Sequence, residues 1–100
     1  MSQIRSSYTD SINFYGGHSP LDLAQQFGTP LYVYNETVLR QRCRDLLGLS
    51  SLPGFHVNYS AKANTNLALL RIVREEGCHA DAMSPGELHI NKLAGFTPDR

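Results

Sequence analysis

The sequence predicts an α/β fold, and of that fold only the opening part: the first units of a larger parallel-stranded domain, either an open Rossmann-type sheet or a (β/α)8 barrel. Three observations carry this expectation. From residue 55 onward the pattern runs strand, helix, strand, helix with short connections, as in parallel strands joined by crossover helices. The strand at 55–61 alternates between apolar and polar residues without a break. The chain has 100 residues and two such units, whereas a closed barrel takes roughly 250 residues.

Each element has its own signal. Residues 1–18 read as an irregular polar arm ending in Gly16-Gly17-His18. Ser19-Pro20-Leu21-Asp22 then starts a helix, with a hydroxyl at the N-cap, proline at the first helical position and a carboxylate in the first turn. Leu21, Ala24 and Phe27 recur at helical spacing, and Gly28 supplies the left-handed stop. Leu31-Tyr32-Val33-Tyr34 has the aromatic and β-branched content of a short strand. These elements form a first region, 1–35, comprising arm, helix and pre-barrel strand.

The second region, 36–100, holds the barrel units. Asn35 caps a helix at 36–47 whose apolar positions are Val38, Leu39, Cys43, Leu46 and Leu47. After a loop at 48–54, the strand at 55–61 sets Phe55, Val57, Tyr59 and Ala61 on one side, with His56, Asn58, Ser60 and Lys62 on the other. Asn64 and Asn66 flank the start of a helix at 67–76 with Leu67, Leu70 and Val73 on its buried stripe. A strand at 79–83 follows. Ser84 and Glu87 then form a capping box for a last helix, with Leu88, Leu93 and Ala94 on its apolar side and Gly95 closing it.

Composition removes several function classes. Nine Lys+Arg balance nine Asp+Glu, so the footprint of a nucleic-acid or anionic-membrane binder is missing. Hydrophobic residues make up 41% and charged residues 18%, which is ordinary globular material, and no apolar run is long enough to span a bilayer. Residues 1–8 are polar and lack the apolar core of a signal peptide. Cys43 and Cys78 form no CxxC pair and read as thiols in a reducing cytosol. A cytoplasmic protein without nucleic-acid or membrane partners is expected.

The chemistry is expected on the polar side of the strand at 55–61. Barrel interiors are filled by branched apolar residues, so His56, Asn58, Ser60 and Lys62 in alternation are costly there unless they hydrogen-bond or serve a ligand. Lys62 stands at the C-terminal end of the strand, where barrel enzymes keep their active sites, and an amine there can add to a carbonyl. Most lysines at strand ends are simply solvated, and Lys92, the only other lysine, falls on the polar side of its helix. Asp81 shares a side with His79 and Met83 and could stand beside Lys62 across adjacent strands, or could instead partner an arginine or a helix end. The capping box already accounts for Glu87. His56 and His79 lack a companion at metal-ligand spacing, so no metal site is expected. Neither a P-loop nor a dinucleotide-binding glycine motif occurs.

Three segments together resemble the N-terminal part of the pyridoxal-phosphate-dependent decarboxylases with an alanine-racemase-type barrel, in the branch that acts on diaminopimelate. They are FGTPLYVYNETVLRQR (27–42), YSAKANTN (59–66) and DAMSPGEL (81–88), the last followed by AGFTPDR (94–100). The resemblance runs in unbroken order over about residues 20–100. It implies pyridoxal 5'-phosphate as cofactor, carried by Lys62, with Asp81 as an acid near it and Tyr59 and Ser60 lining the approach. Glu87 matches the motif glutamate, and His56 is a further candidate for support. Ser60 stands where relatives often carry alanine, and Pro85 where many carry glycine.

By the same resemblance, the reaction is decarboxylation of meso-diaminopimelate to L-lysine and CO2, the last step of lysine biosynthesis, in an enzyme that pairs into homodimers. Neighbouring decarboxylases of carboxynorspermidine, ornithine or arginine are the alternative, as is a non-catalytic truncated barrel fragment. The family's phosphate site and substrate-carboxylate residues are not matched within these 100 residues, so the isolated chain is expected to be inactive.

Overall fold

The computed structural model describes residues 7–100, and the opening of the polar arm, 1–6, lies outside the described residues. Two units are distinguished, Met1–Val38 and Leu39–Arg100.

In the first unit, a short helix α1 (Ser7–Ser11) stands in the stretch expected to be irregular; five residues are too few to show a helical period. Helix α2 (Pro20–Phe27) starts where proline and Asp22 predict. Ser19 takes the extended N-cap conformation, but its hydroxyl makes no cap bond. Gly28 ends α2 with φ of 83° and donates its N–H to the Ala24 carbonyl at 2.8 Å. The strand expected at 31–34 is absent: the segment joins no sheet among the described residues, and its four side chains are exposed. β-propensity describes side chains that suit a pleated surface, but a strand also needs a neighbour to complete its ladder. Asn35 caps α3 (Glu36–Leu47) as expected, its Oδ1 accepting the Val38 N–H at 3.0 Å.

The second unit contains a two-stranded parallel sheet of β1 (Asn58–Ser60) and β2 (His79–Asp81). Both strands are shorter than predicted. β1 gives way after Ser60 to a single turn of 3-10 helix, Ala61–Ala63. Helix α4 (Leu67–Glu75) links the strands, and α5 (Pro85–Ala94) follows β2.

The core lies on one side of this sheet. Val57 and Tyr59 pack against Cys43, Val73 and Cys78, with Leu39, Leu47 and Phe96 around them. Ala61, Leu70 and Ala94 form an adjoining cluster with Leu67 and Ile90. Leu46, Leu88 and Leu93, read as apolar-side positions of their helices, are exposed. In α5 the inward stripe is instead Glu87, Ile90, Asn91 and Ala94, whose spacing of three and four keeps them on one face.

Gly95 has to be glycine. Its φ is 99°, and a Cβ there would come within 2.8 Å of Arg74 Nε, which donates to the Ala94 carbonyl at 2.8 Å. On the outer surface α3 is tied to the end of α4. Arg40 pairs with Glu75 and Glu76, each at 2.8 Å, and Arg44 pairs with Glu76 at 2.7 Å. The hydrogen bonds from Arg44 and Arg40 hold the Glu76 carboxyl below the ordinary carboxylate range.

Candidate functional site

Register and alternation assign the side chains to two faces. Asn58 stands opposite His79, Tyr59 opposite Ala80, and Ser60 opposite Asp81. Successive strand residues point to opposite sides, so Asn58, Ser60, His79 and Asp81 share one face while Tyr59 and Ala80 share the other. The helices cover the Tyr59 face. The other face is the open one: Asn58 and Asp81 are exposed, Ser60 and His79 partly so. His56 extends the row, its ring stacked on His79 with centroids 4.2 Å apart.

Lys62 follows directly. It is exposed, in the 3-10 turn at the C-terminal end of β1, and among the described residues it joins no ion pair. The turn that carries it is held from several directions. Ala61 is 0% exposed, packed beneath by Leu70 and Ala94. The Tyr59 hydroxyl donates across the turn to the Asn64 carbonyl at 3.2 Å, and the Asn64 N–H donates to the Ala61 carbonyl at 3.2 Å. Asn64 Oδ1 accepts the Asn66 N–H at 2.9 Å. Asn66 Oδ1 in turn caps α4, accepting from Ala68 at 3.0 Å and Leu69 at 3.3 Å. The two asparagines of the KANTN stretch thus serve the backbone and fix where the lysine turn meets the next helix.

The connection from β2 to α5 is equally constrained. Ser84 Oγ accepts the Glu87 N–H at 3.1 Å, the first bond of the capping box read in the sequence, while Glu87 Oε1 accepts the N–H of Met83 at 3.2 Å rather than that of Ser84. One turn further along α5, Asn91 Nδ2 donates to the Asp81 carbonyl at 3.2 Å. Asn91 Oδ1 is buried without a partner among the described residues, a state that costs about 1–3 kcal/mol. Sequence reasoning passed over Asn91. Its signal was a polar residue four positions after Glu87, on the stripe that turns inward.

Of the six residues singled out in the sequence, His56, Ser60, Lys62 and Asp81 gather along the open face or at its C-terminal edge. Tyr59 does not share that face; it stands in the core and braces the Lys62 turn from behind. Glu87 is occupied by the cap. Away from the sheet's open face, Cys43 and Cys78 adjoin in the core as free thiols. Burial, with Cys43 beside it, pushes the Cys78 thiol from 9.0 up to about 11. It is therefore a poor nucleophile.

An amine, a carboxylate and a hydroxyl collected at one strand-end edge can engage a carbonyl-bearing ligand, and comparison with known proteins agrees in kind. The chain is 48% identical over 87 residues to the diaminopimelate decarboxylase of Methanothermobacter thermautotrophicus, covering 85% of this chain and 20% of that protein. The corresponding protein of Aquifex aeolicus is 40% identical over 93 residues, covering 93% of this chain and 22% of the relative. That of Bacillus subtilis is 37% identical over 87 residues, covering 85% and 20%. The chain thus spans about a fifth of the length of these curated relatives. No solved structure matches it. Residues 38–100 match the family model described as the pyridoxal-binding domain of pyridoxal-dependent decarboxylases, and these residues include both strands and the Lys62 turn. This chain belongs to the pyridoxal-dependent decarboxylase family, through its pyridoxal-binding domain.

Proposed function

We propose that the chain furnishes the lysine-bearing edge of a decarboxylase that removes the α-carboxylate of diaminopimelate, the substrate in the names of its relatives, to give L-lysine and CO2. The observation that carries this reading is the placement of Lys62: exposed, unpaired among the described residues, at the C-terminal end of β1, with Ser60 and Asp81 paired two residues before it.

The residues present suit pyridoxal phosphate. Lys62 offers a primary amine for its aldehyde, Asp81 a carboxylate near the group, and Ser60 a hydroxyl on the same face as Asp81. When bound, the cofactor supplies an electron sink for the pair left behind as CO2 departs. The chain's own contribution is placement. The packed Ala61 and the Tyr59 hydroxyl bond hold the lysine turn, so the amine meets its target without first ordering its backbone. Lys62 would also be placed to carry a proton on Nζ to and from a bound substrate. His56 and His79 lie toward the other end of the strands and serve the wall of the site rather than its chemistry.

In the whole protein this edge belongs to a (β/α)8 barrel of the alanine-racemase type, in a cytoplasmic homodimer that takes a small amino-acid substrate. Two parallel strands linked through α4 support the barrel, and no helix among the described residues is long and apolar enough to cross a membrane. The regions 1–35 and 36–100 correspond to a lead-in and to the first barrel units.

The test is to incubate the holoprotein with pyridoxal phosphate, reduce with borohydride and map the modified lysine by mass spectrometry. The label is expected on Lys62 and not on Lys92. A label on Lys92, or equal labelling of both, would overturn the assignment.

A further inference from the structure

Asn91 is the one buried polar residue among those described, 5% exposed in the middle of α5. Its amide nitrogen reaches back ten residues to the carbonyl of Asp81, the last residue of β2. Its amide oxygen is shut away from solvent with nothing to accept. A leucine at this position would fill similar space without the stranded oxygen, so the hydrogen bond from its NH2 group comes at a cost in stability.

Glu87, four residues earlier and on the same stripe of α5, holds the Met83 N–H through its carboxylate. The two side chains therefore grip the β2–α5 link at both ends, one at the Asp81 carbonyl and one at the Met83 amide. The carboxylate of Asp81 itself is left exposed on the open face, beside Ser60.

We infer that Asn91 is a positioning residue: together with Glu87 it fixes the backbone of Asp81, so that the carboxylate is presented at one place relative to the Lys62 turn. The inference rests on the proposed function, in which Asp81 faces the pyridoxal group. Asn91 touches no ligand. It acts through Asp81 alone, and its loss should weaken cofactor binding without weakening the fold.

The experiment compares Asn91→Leu, Asn91→Gln and Lys62→Ala in the holoprotein. It reads the dissociation constant for pyridoxal phosphate, the urea midpoint and the hydrogen exchange of the Ala82 and Met83 amides. Asn91→Leu is expected to weaken binding about fivefold to tenfold and to speed exchange at both amides, with a urea midpoint equal to or above that of the parent. Asn91→Gln keeps the donor and should bring affinity back to within about twofold of the parent. The inference is overturned if Asn91→Leu binds within about twofold of the parent, or if both Asn91 variants lose affinity in step with a falling urea midpoint. The two readings fail separately. Borohydride labelling that persists in Lys62→Ala refutes the proposed function, whereas labelling lost in Lys62→Ala beside unchanged binding in Asn91→Leu refutes only the role of Asn91.

Discussion

Replacing Leu70 by alanine removes the packing directly behind the lysine turn. Leu70 is 0% exposed and lies against Ala61 and Ala94, two small side chains on fixed backbone. Three carbon atoms are lost, worth about 2.4 kcal/mol at roughly 0.8 kcal/mol per buried group. Neither alanine neighbour can reach into the space left. A residual cavity on the order of 60 Å3 then adds about 1.4 kcal/mol, for a total near 4 kcal/mol. With a urea slope of about 2 kcal/mol/M, the unfolding midpoint should fall by roughly 2 M. Equilibrium urea unfolding followed by circular dichroism measures this. Leu88→Ala serves as the control: Leu88 is 65% exposed, and its loss should change stability by no more than about 0.5 kcal/mol. A Leu70→Ala cost below about 1 kcal/mol would show that α4 and α5 close over the gap, and that the rigidity assigned to the Ala61 backing is not there.

Two further outcomes are expected. Ser84→Ala removes the acceptor for the Glu87 N–H and should cost about 1 kcal/mol in urea unfolding, the usual effect of losing an N-cap; an unchanged midpoint would argue that the cap is made in some other way. The Cys78 thiol is raised from 9.0 to about 11, so the folded state favours its neutral form: its contribution is whole below pH 9 and is lost as pH climbs through 11. At pH 8 its thiolate fraction is about a hundredfold below that of an unfolded cysteine, so iodoacetamide should modify it at least that much more slowly in the native protein than in urea, and equal rates would refute its burial.

How much of this could be read from the letters differs from place to place. The face bearing Ser60 and Asp81 was legible because strand side chains alternate with a period of two, and the polar run His56, Asn58, Ser60 kept strict time. The ends of β1 and β2 were not, since a strand stops where its partner stops, and that is decided by pairing between residues some twenty positions apart. Caps were readable at Asn35, Asn66 and Ser84 because each is a local bond within three residues. At Ser19 the same signal was present, yet the hydroxyl made no bond. The inward stripe of α5 was misjudged because Leu88 and Leu93 are two of its three large apolar residues, whereas its rotation is set by what Ala94 and Ile90 meet on α4 and the lysine turn. That left a buried asparagine where apolarity alone would never place one.

The alternation in β1 also bears on insertions and deletions. Its two sides differ sharply in what they tolerate: one packs Val57 and Tyr59, with Ala61 just beyond, into the core, and the other is open to water. Adding or deleting a single residue between Val57 and Ser60 would exchange the sides and press hydroxyl and amide groups into hydrocarbon, while a change of two would restore the phase. Point substitutions on the open side can therefore accumulate along this segment far more freely than changes in its length, and the placement of Lys62 depends on an even count.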